Sequence, residues 1–230
     1  SCGWHPETFL SRETAVILTF SAGKKMQTAE QESRLEQKLI DLSVGIDRFE
    51  GYTRPHGQLI ASIADRIGTR LGMAAHDRFY MQQAALVHDI GEATMDRSYI
   101  RENRSLSEDE RFDLQRHPVI GEQEAAKIGL ARGVQLLVRW HHEWWNGGGY
   151  PDALSGEQIP LAARILRASD SFAAMMETRP GRPNLTPDAA RKEIAGLAAI
   201  EFDPTIAKLL LEPELLRDIL EWHATAQLPS

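Results

Sequence analysis

The 230-residue sequence contains one cysteine, Cys2, no long apolar run and no excess of basic residues. A single cysteine excludes an internal disulfide framework and is typical of a reducing compartment. Because no apolar run approaches the roughly 20 residues that span a bilayer, we expect no membrane contact by this fragment and a cytoplasmic location. The net charge of −7 argues against binding long nucleic acid through bulk charge, but it is compatible with a small phosphorylated ligand held by local arginines.

The chain begins with Ser1 rather than methionine, which indicates a fragment of a longer protein. Any upstream sensor domain or membrane anchor of the full-length protein would then lie outside this sequence. Within the fragment, 42% hydrophobic and 26% charged residues suit one globular domain, or one domain with an appendage.

Helical periodicity dominates the chain, and no segment has a convincing alternating strand pattern. One helical face near the N-terminus carries apolar residues three and four positions apart: Leu35, Leu39, Leu42, Ile46 and Phe49. Residues 1–48 are interpreted as a helical connector or a segment that forms a homodimer; the alternative is that they pack on the core. Residues 49–230 are then the catalytic domain, an all-α bundle of seven or more helices.

Two local patterns mark helix and loop positions within this bundle. Ser107 and Glu110 have the spacing of a capping box that opens a helix. The stretch from Glu143 to Gly156 holds four glycines and little periodicity, which is typical of a functional loop.

Histidines and carboxylates give the strongest indication of chemistry. Seven such residues lie at positions that favour metal binding: His56, His88, Asp89, His117, His141, His142 and Asp170. A structural zinc ion needs only four ligands. If Asp89 bridges two ions, the seven side chains supply about four contacts to each. Mixed nitrogen and oxygen ligands with open positions favour two divalent ions, iron or manganese, over a closed zinc site.

Local geometry supports the convergence of these residues. His88 ends an apolar helix, and Ile90-Gly91 is predicted to turn the chain sharply after Asp89, so that both side chains can face one ion. Adjacent helical residues diverge by about 100°. His141 and His142 can therefore both face inward only where their helix ends, and the glycine-rich loop follows directly.

The motifs that contain these residues resemble the HD-GYP family, a branch of the HD phosphohydrolase superfamily. The matching segments are His88-Asp89-Ile90-Gly91, His117-Pro118, His141-His142-Glu143 and Asn146-Gly147-Gly148-Gly149-Tyr150-Pro151. The similarity extends from about Tyr52 to about Phe202. The resemblance implies an HD-type helical bundle and a metal-dependent hydrolase for the bacterial second messenger cyclic di-GMP. Its product would be linear pGpG, and GMP after a second cut.

The resemblance also implies a role for each candidate residue. His56, His88, Asp89 and Asp170 would surround one ion, and His117, His141 and His142 the other, with Asp89 as the bridge. Two ions that share a hydroxide can present it in line to the phosphorus. Three further residues would bind substrate: Tyr150, Arg179 and Arg182. For the two arginines, the alternative is a pair of solvated loop charges.

Two positions depart from the pattern of that family. Glu92 stands where the family has a lysine that meets the scissile phosphate. The carboxylate of Glu92 would repel that phosphate, unless a proton or a cation neutralises it. Tyr52 stands where members with a third metal have a glutamate, which favours two ions. Glu92 is treated as part of the catalytic site. The favoured interpretation is a slow enzyme in which Glu92 turns away; the alternatives are that it takes up a proton or that it binds an extra ion.

Three functions stay open at this point. The first is an active cyclic di-GMP phosphodiesterase. The second is a weakly active or inactive module that binds metal and cyclic dinucleotide and signals through protein interaction. The third is hydrolysis of another phosphoester or a related cyclic dinucleotide at the same metal site.

Overall fold

The structure is a computed structural model, and it describes residues 33–102, 104–178 and 183–226. The chain divides into two compact units, Ser1–Lys38 and Leu39–Ser230. Of the first unit, only residues 33–38 are described, and they are helical. The division lies earlier than the predicted boundary at residue 48. The predicted role of residues 1–48 falls largely outside the described residues, so it stays a prediction.

The predicted all-α class is confirmed, because the described residues form helices without a β-strand. The helices are α1 (33–50), α2 (His56–Arg70), α3 (Ala75–Leu86), α4 (Ile90–Met95), α5 (Glu108–Leu114), α6 (His117–Lys127), α7 (Arg132–Trp140), α8 (Leu161–Met176), α9 (Pro187–Gly196), α10 (Pro204–Leu210) and α11 (Pro213–Thr225). Short 3₁₀ helices cover Ser98–Arg101 and Gly156–Gln158. None of the described helices combines the length and the apolar character that crossing a membrane requires.

Helix α2 lies in the middle of the larger unit and packs against α3, α8 and α11. Its apolar residues Ile60, Ile63 and Ile67 are buried, as are Leu166 and Phe172 of α8. Helix α3 also packs against α7, and α6 packs against both α4 and α7. Burial of these apolar faces is the main stabilising contribution to the bundle.

Helix ends bring the candidate site together. His56 is the first residue of α2 and His117 the first of α6. Asp89 directly precedes α4, and His141 directly follows α7. Asp170 lies in the middle of α8, whose neighbouring residues are buried in the core. Four helix ends and one helix interior therefore converge on one region.

A close helix crossing explains the glycine of the His-Asp-Ile-Gly segment. The chain turns at residues 87–89, and Gly91 already lies within α4. A Cβ atom at Gly91 would lie 2.0 Å from the backbone oxygen of His117. The prediction that Ile90-Gly91 itself forms the turn is therefore wrong. Glycine is needed there because α4 and α6 approach too closely for any side chain.

The capping box predicted at the start of α5 is confirmed. The backbone N–H of Glu110 donates to the Ser107 hydroxyl at 3.2 Å. The backbone N–H of Ser107 donates in turn to the Glu110 carboxylate at 2.8 Å. The two bonds satisfy donors that the first turn of a helix otherwise leaves unpaired.

The glycine-rich stretch after α7 is a loop, as predicted, and a buried carboxylate holds it in place. The side chain of Glu143 accepts hydrogen bonds from the backbone N–H groups of Asp152 (2.7 Å) and Leu154 (2.9 Å). A Cβ atom at Gly149 would lie 2.3 Å from the backbone nitrogen of Trp144. The loop therefore folds tightly back on the end of α7, and Tyr150 comes to lie beside the histidines.

Candidate metal centre

The structure brings all seven predicted metal ligands together in two adjoining groups. One group is Asp89, His117, His141 and His142, and the other is His56, His88 and Asp170. Within each group every residue offers one ligand atom, and these atoms lie within 4.8 Å of one another. Their roles as ligands stay predictions, but their arrangement matches the one that was expected.

Asp89 lies between the two groups and turns a different oxygen toward each. Its Oδ2 atom lies 3.0 Å from Nε2 of His88. Its Oδ1 atom lies 3.1 Å from Nε2 of His117 and 3.4 Å from Nε2 of His141. A carboxylate in this position can contact two cations at once, which supports the predicted bridge.

Backbone carbonyl groups orient three of the imidazoles in the same way. In each case Nδ1 bonds the carbonyl oxygen three residues earlier: His88 to Ala85 at 2.9 Å, His117 to Leu114 at 2.8 Å and His141 to Val138 at 2.6 Å. Because the carbonyl can only accept, Nδ1 must donate, and in the neutral ring Nε2 carries a lone pair. All three Nε2 atoms face Asp89, which is the ligand geometry that a metal needs.

Unpaired polar atoms at the centre test whether a metal fits. Among the described residues, Nε2 of His88 and Oδ1 of Asp89 are buried and have no hydrogen-bond partner. In the neutral ring of His117, Nε2 is a hydrogen-bond acceptor, and it lies 3.1 Å from Oδ1 of Asp89, which is also an acceptor. Such an arrangement is stable only with a proton or a cation between the atoms. The donor set of imidazoles and carboxylates fits a divalent metal.

The charge balance of the protein atoms leads to the same conclusion. Burial opposes ionisation of Asp89, but the positive charge of His88 and the close approach of His117 and His141 hold its pKa well below the usual range. Although burial disfavours the charged ring of His88, the carboxylate of Asp89 raises its pKa to about 10. The carboxylates are thus ionised and attract positive charge, which a proton on His88 or a metal ion can supply.

His56 has a carboxylate partner that the sequence analysis missed. Its Nδ1 atom lies 2.6 Å from Oε2 of Glu177, and its Nε2 atom lies 3.6 Å from Oδ1 of Asp170. The ring of Tyr52 stacks on His56 with centroids 3.8 Å apart. Glu177 directly follows the last residue of α8, seven residues after Asp170, so a carboxylate about two helical turns from Asp170 was the signal that pointed to it.

Arg167 is a second residue that the sequence analysis missed. Its Nη1 atom lies 3.2 Å from Nδ1 of His142 and 3.4 Å from Oδ2 of Asp170. Its guanidinium also contacts the carboxylate of Glu201. Burial, the neighbouring histidines and Arg167 together hold the pKa of His142 well below its usual value, so this ring is neutral and able to bind metal. Arg167 precedes Asp170 by three residues, which places both on one helical face.

A cavity of about 380 Å³ opens onto the centre. Asp89, His142, Tyr150 and Arg167 line it, together with Glu92. The ring of Tyr150 stacks on His142 with centroids 4.9 Å apart. Burial raises the pKa of Tyr150, so its hydroxyl keeps its proton and can donate a hydrogen bond into the cavity.

Glu92 faces this cavity, and the favoured interpretation that it turns away does not describe the structure. Its Oε1 atom lies 4.0 Å from Nδ1 of His117. Its carboxylate, with those of Glu50 and Asp89, forms a third group whose oxygens lie within 4.8 Å of one another. Glu92 follows Asp89 by three residues at the start of α4, so both side chains project from the same face. Its effect on catalysis stays a prediction.

Arg179 and Arg182 lie outside the described residues, so the structure gives no position for either. Their predicted contacts with substrate phosphates stay predictions. Among the described residues, Arg167 is the arginine that lines the metal cavity.

The comparisons with known proteins agree on one family. The family model described as HD domain matches residues 26–206. The chain is 33% identical over 185 residues, 79% of its length, to the cyclic di-GMP phosphodiesterase response regulator RpfG of Xanthomonas campestris, and covers 49% of that protein. It is 26% identical over 197 residues, 85% of its length, to 3'3'-cGAMP-specific phosphodiesterase 2 of Vibrio cholerae, and covers 37% of that protein. The chain thus spans half or less of the length of these relatives.

A solved structure shows a similar fold. The cyclic GMP-AMP phosphodiesterase V-cGAP3 of V. cholerae superposes with a TM-score of 0.59 at 18% sequence identity. The superposition covers 84% of this chain and 53% of that one.

Proposed function

Because the chain belongs to the HD domain family and carries the motifs of its HD-GYP branch, we propose that it is a metal-dependent phosphodiesterase that hydrolyses cyclic di-GMP. The observation that carries the proposal is the position of Asp89, whose two oxygens face two separate groups of histidines. The named relatives are phosphodiesterases for cyclic di-GMP or 3'3'-cGAMP, which supports the same reaction class.

The ligand groups would hold two divalent ions, for which we propose iron or manganese. His56, His88 and Asp170 would hold one and His117, His141 and His142 the other, with Asp89 as the bridge. Bound there, the ions would supply a hydroxide of lowered pKa and neutralise charge on the phosphate. Nitrogen and oxygen ligands of this kind favour these metals over a closed thiolate zinc site.

Other residues of the cavity would hold and orient the substrate. The guanidinium of Arg167 can donate to a phosphate oxygen, since arginine presents five N–H groups in a planar fork. The protonated hydroxyl of Tyr150 can donate to the same phosphate or to its ribose. We propose that Arg179 and Arg182 contribute further phosphate contacts. The product would be pGpG, and GMP after a second cut.

Two alternative functions, hydrolysis of a related cyclic dinucleotide and ligand binding without efficient turnover, can be distinguished from this one by experiment. Hydrolysis of 3'3'-cGAMP is favoured by the name of the V. cholerae relative. A weakly active or inactive module that binds metal and cyclic dinucleotide would keep the same ligand groups, so its test is whether the metal-loaded protein turns over either dinucleotide. An upstream sensor domain, a homodimer through the N-terminal helix and a cytoplasmic location stay predictions.

The test is turnover by protein purified without air. Metal content per chain is measured first, and then hydrolysis of cyclic di-GMP and 3'3'-cGAMP with added Mn²⁺ or Fe²⁺, with products separated by chromatography. We expect about two ions per chain and formation of pGpG, both lost in Asp89→Ala. Two bound ions without hydrolysis of either dinucleotide would contradict the proposal.

A further inference from the structure

A second cavity adjoins the metal cavity and shares one residue with it. This cavity, of about 400 Å³, is lined by Phe112, Gln115, Arg116, Gln123, Tyr150 and Pro151, among others. Tyr150 lines both cavities. We call the second cavity the Phe112 groove. The two cavities therefore adjoin each other at Tyr150.

Phe112 is unusual in its surroundings. It lies on α5, a short and otherwise largely polar helix in which no residue is buried. Its exposed fraction is 75%, the highest among the large hydrophobic residues that the structure describes. A single exposed apolar residue needs no explanation by itself. What distinguishes Phe112 is that it borders a cavity that shares the lining residue Tyr150 with the cavity of the proposed catalytic centre.

Polar groups complete the Phe112 groove. The guanidinium of Arg116 is 63% exposed and contacts Asp113 through Nη1 at 3.1 Å. The side-chain amides of Gln115 and Gln123 also line the groove. A flat aromatic surface with amide and guanidinium groups at its rim complements a flat ring with hydrogen-bonding edges. A purine base has that chemistry.

The chain segment that lines the groove leads directly to the metal centre. Phe112, Leu114 and Arg116 precede His117 within five residues. Leu114 lines the metal cavity and accepts the hydrogen bond from His117 through its carbonyl oxygen. Leu114 of the metal cavity is followed directly by Gln115 and Arg116 of the groove, and Tyr150 lines both, so the two cavities adjoin at the same residues.

We propose that the Phe112 groove binds one purine base of the cyclic dinucleotide, by stacking on Phe112 and by edge contacts with Arg116 and the two glutamines. The inference rests on the proposed function, because it assumes that a phosphate of the same molecule lies at the metal centre. It assigns to Phe112 a role in substrate affinity rather than in the chemical step. A docked protein segment is the competing occupant, and it predicts no effect of Phe112 on nucleotide binding.

The experiment compares Phe112→Ala and Phe112→Tyr with the parent chain. Affinity for the bis-phosphorothioate analogue of cyclic di-GMP, which resists hydrolysis, is measured by calorimetry on the metal-loaded protein. Hydrolysis of bis(p-nitrophenyl) phosphate, which carries no nucleobase, is measured alongside. Phe79→Ala is the matched control, because Phe79 is exposed on α3 and lines neither cavity.

We expect Phe112→Ala to weaken analogue binding about tenfold, within the range for loss of one base–aromatic stack. Phe112→Tyr should restore it, and bis(p-nitrophenyl) phosphate hydrolysis should stay within about twofold of the parent in every variant. Unchanged affinity in Phe112→Ala, no binding by the parent, or an equal loss of bis(p-nitrophenyl) phosphate hydrolysis would each overturn the groove assignment. Phe112-dependent binding of the analogue by a parent that does not hydrolyse cyclic di-GMP would support the groove and contradict the phosphodiesterase.

Discussion

Nδ1 of His56 lies 2.6 Å from Oε2 of Glu177, and both side chains are buried. Because the carboxylate accepts the Nδ1 proton, Nε2 of His56 is left to face Asp170 and the metal centre. The pKa of His56 is raised even though burial lowers it, since hydrogen bonds to Asp170 and Glu177 favour the protonated ring. Glu177 thus orients a proposed ligand without touching the metal site itself.

Loss of the Glu177 carboxylate should weaken metal binding at the His56 group. We expect Glu177→Gln to reduce metal affinity about 10- to 100-fold, the usual effect of removing such a partner. Metal content after dialysis against graded chelator measures the change. Glu157→Gln, which alters an exposed glutamate, is the control. Equal metal retention in both variants would show that the contact does not support the ligand.

The bridging position of Asp89 predicts an unequal effect of two ligand substitutions. Asp89→Ala should remove both ions, because this carboxylate faces both groups. His56→Ala should leave the ion of the His117 group in place, since none of its ligands is changed. Metal analysis per chain distinguishes the two cases. An Asp89→Ala protein that retains two ions would disprove the bridge.

Arg167 provides a test of substrate binding that leaves the ligands intact. Arg167→Gln should raise KM for cyclic di-GMP more than it lowers kcat, because a charged phosphate contact contributes on the order of 1.5–3 kcal/mol. Metal content should change little, since Arg167 is not among the proposed ligands. A matched variant is Arg164→Gln, whose side chain contacts Asp203 and does not line the metal cavity. The same KM in both variants would argue against a phosphate contact.

The convergence of the proposed ligands could be predicted from sequence because helix ends are visible there. His88 and His141 each end an apolar periodic segment, and His117 precedes a proline that starts a helix. Helix ends are the places where backbone carbonyls and side chains can turn toward one point. Their distances could not be predicted, because they depend on how α4 crosses α6 at Gly91.

Residues that act through tertiary contacts were not predictable in the same way. Arg167 shares a face of α8 with Asp170, and Glu177 directly follows the end of α8, but these positions alone do not show which partner each side chain meets. Phe112 appears in the sequence as one apolar residue in a polar helix. Only the folded chain places it beside the loop that carries Tyr150.

The buried carboxyl group of Asp47 should make the free energy of unfolding of the protein depend on pH. Burial raises its pKa from 3.8 to about 6, so between these values the folded chain holds a proton that the unfolded chain has lost. Its contribution to stability therefore falls as pH rises through this window, by up to roughly 3 kcal/mol. Asp47→Asn keeps the oxygen that accepts from the Gly57 N–H and carries no charge.

As pH rises from 4 to 7.5, the free energy of unfolding of Asp47→Asn should therefore increase relative to that of the parent. Urea unfolding of the chelator-treated proteins at several pH values measures this difference. A difference that does not vary with pH would show that Asp47 ionises normally in the folded chain.

Glu92 gives the prediction that bears most directly on catalytic rate. Its carboxylate lines the metal cavity and lies close to those of Glu50 and Asp89. A substrate phosphate in this cavity would meet its negative charge. At about 4 Å and an effective dielectric constant near 20, such a like-charge contact costs roughly 4 kcal/mol before relaxation. The seven proposed ligands do not include Glu92, so its charge is not needed to hold two ions.

We therefore expect the parent to turn over slowly and Glu92→Lys to lower KM for cyclic di-GMP by about tenfold or more, with metal content unchanged. Glu92→Gln removes the charge without reversing it, so its KM should lie between those of the parent and the lysine variant. Steady-state kinetics and metal analysis of the three proteins test this order. If Glu92→Lys instead loses metal and slows, the carboxylate holds a cation that converts repulsion into attraction, and the assumption that it opposes substrate binding is wrong.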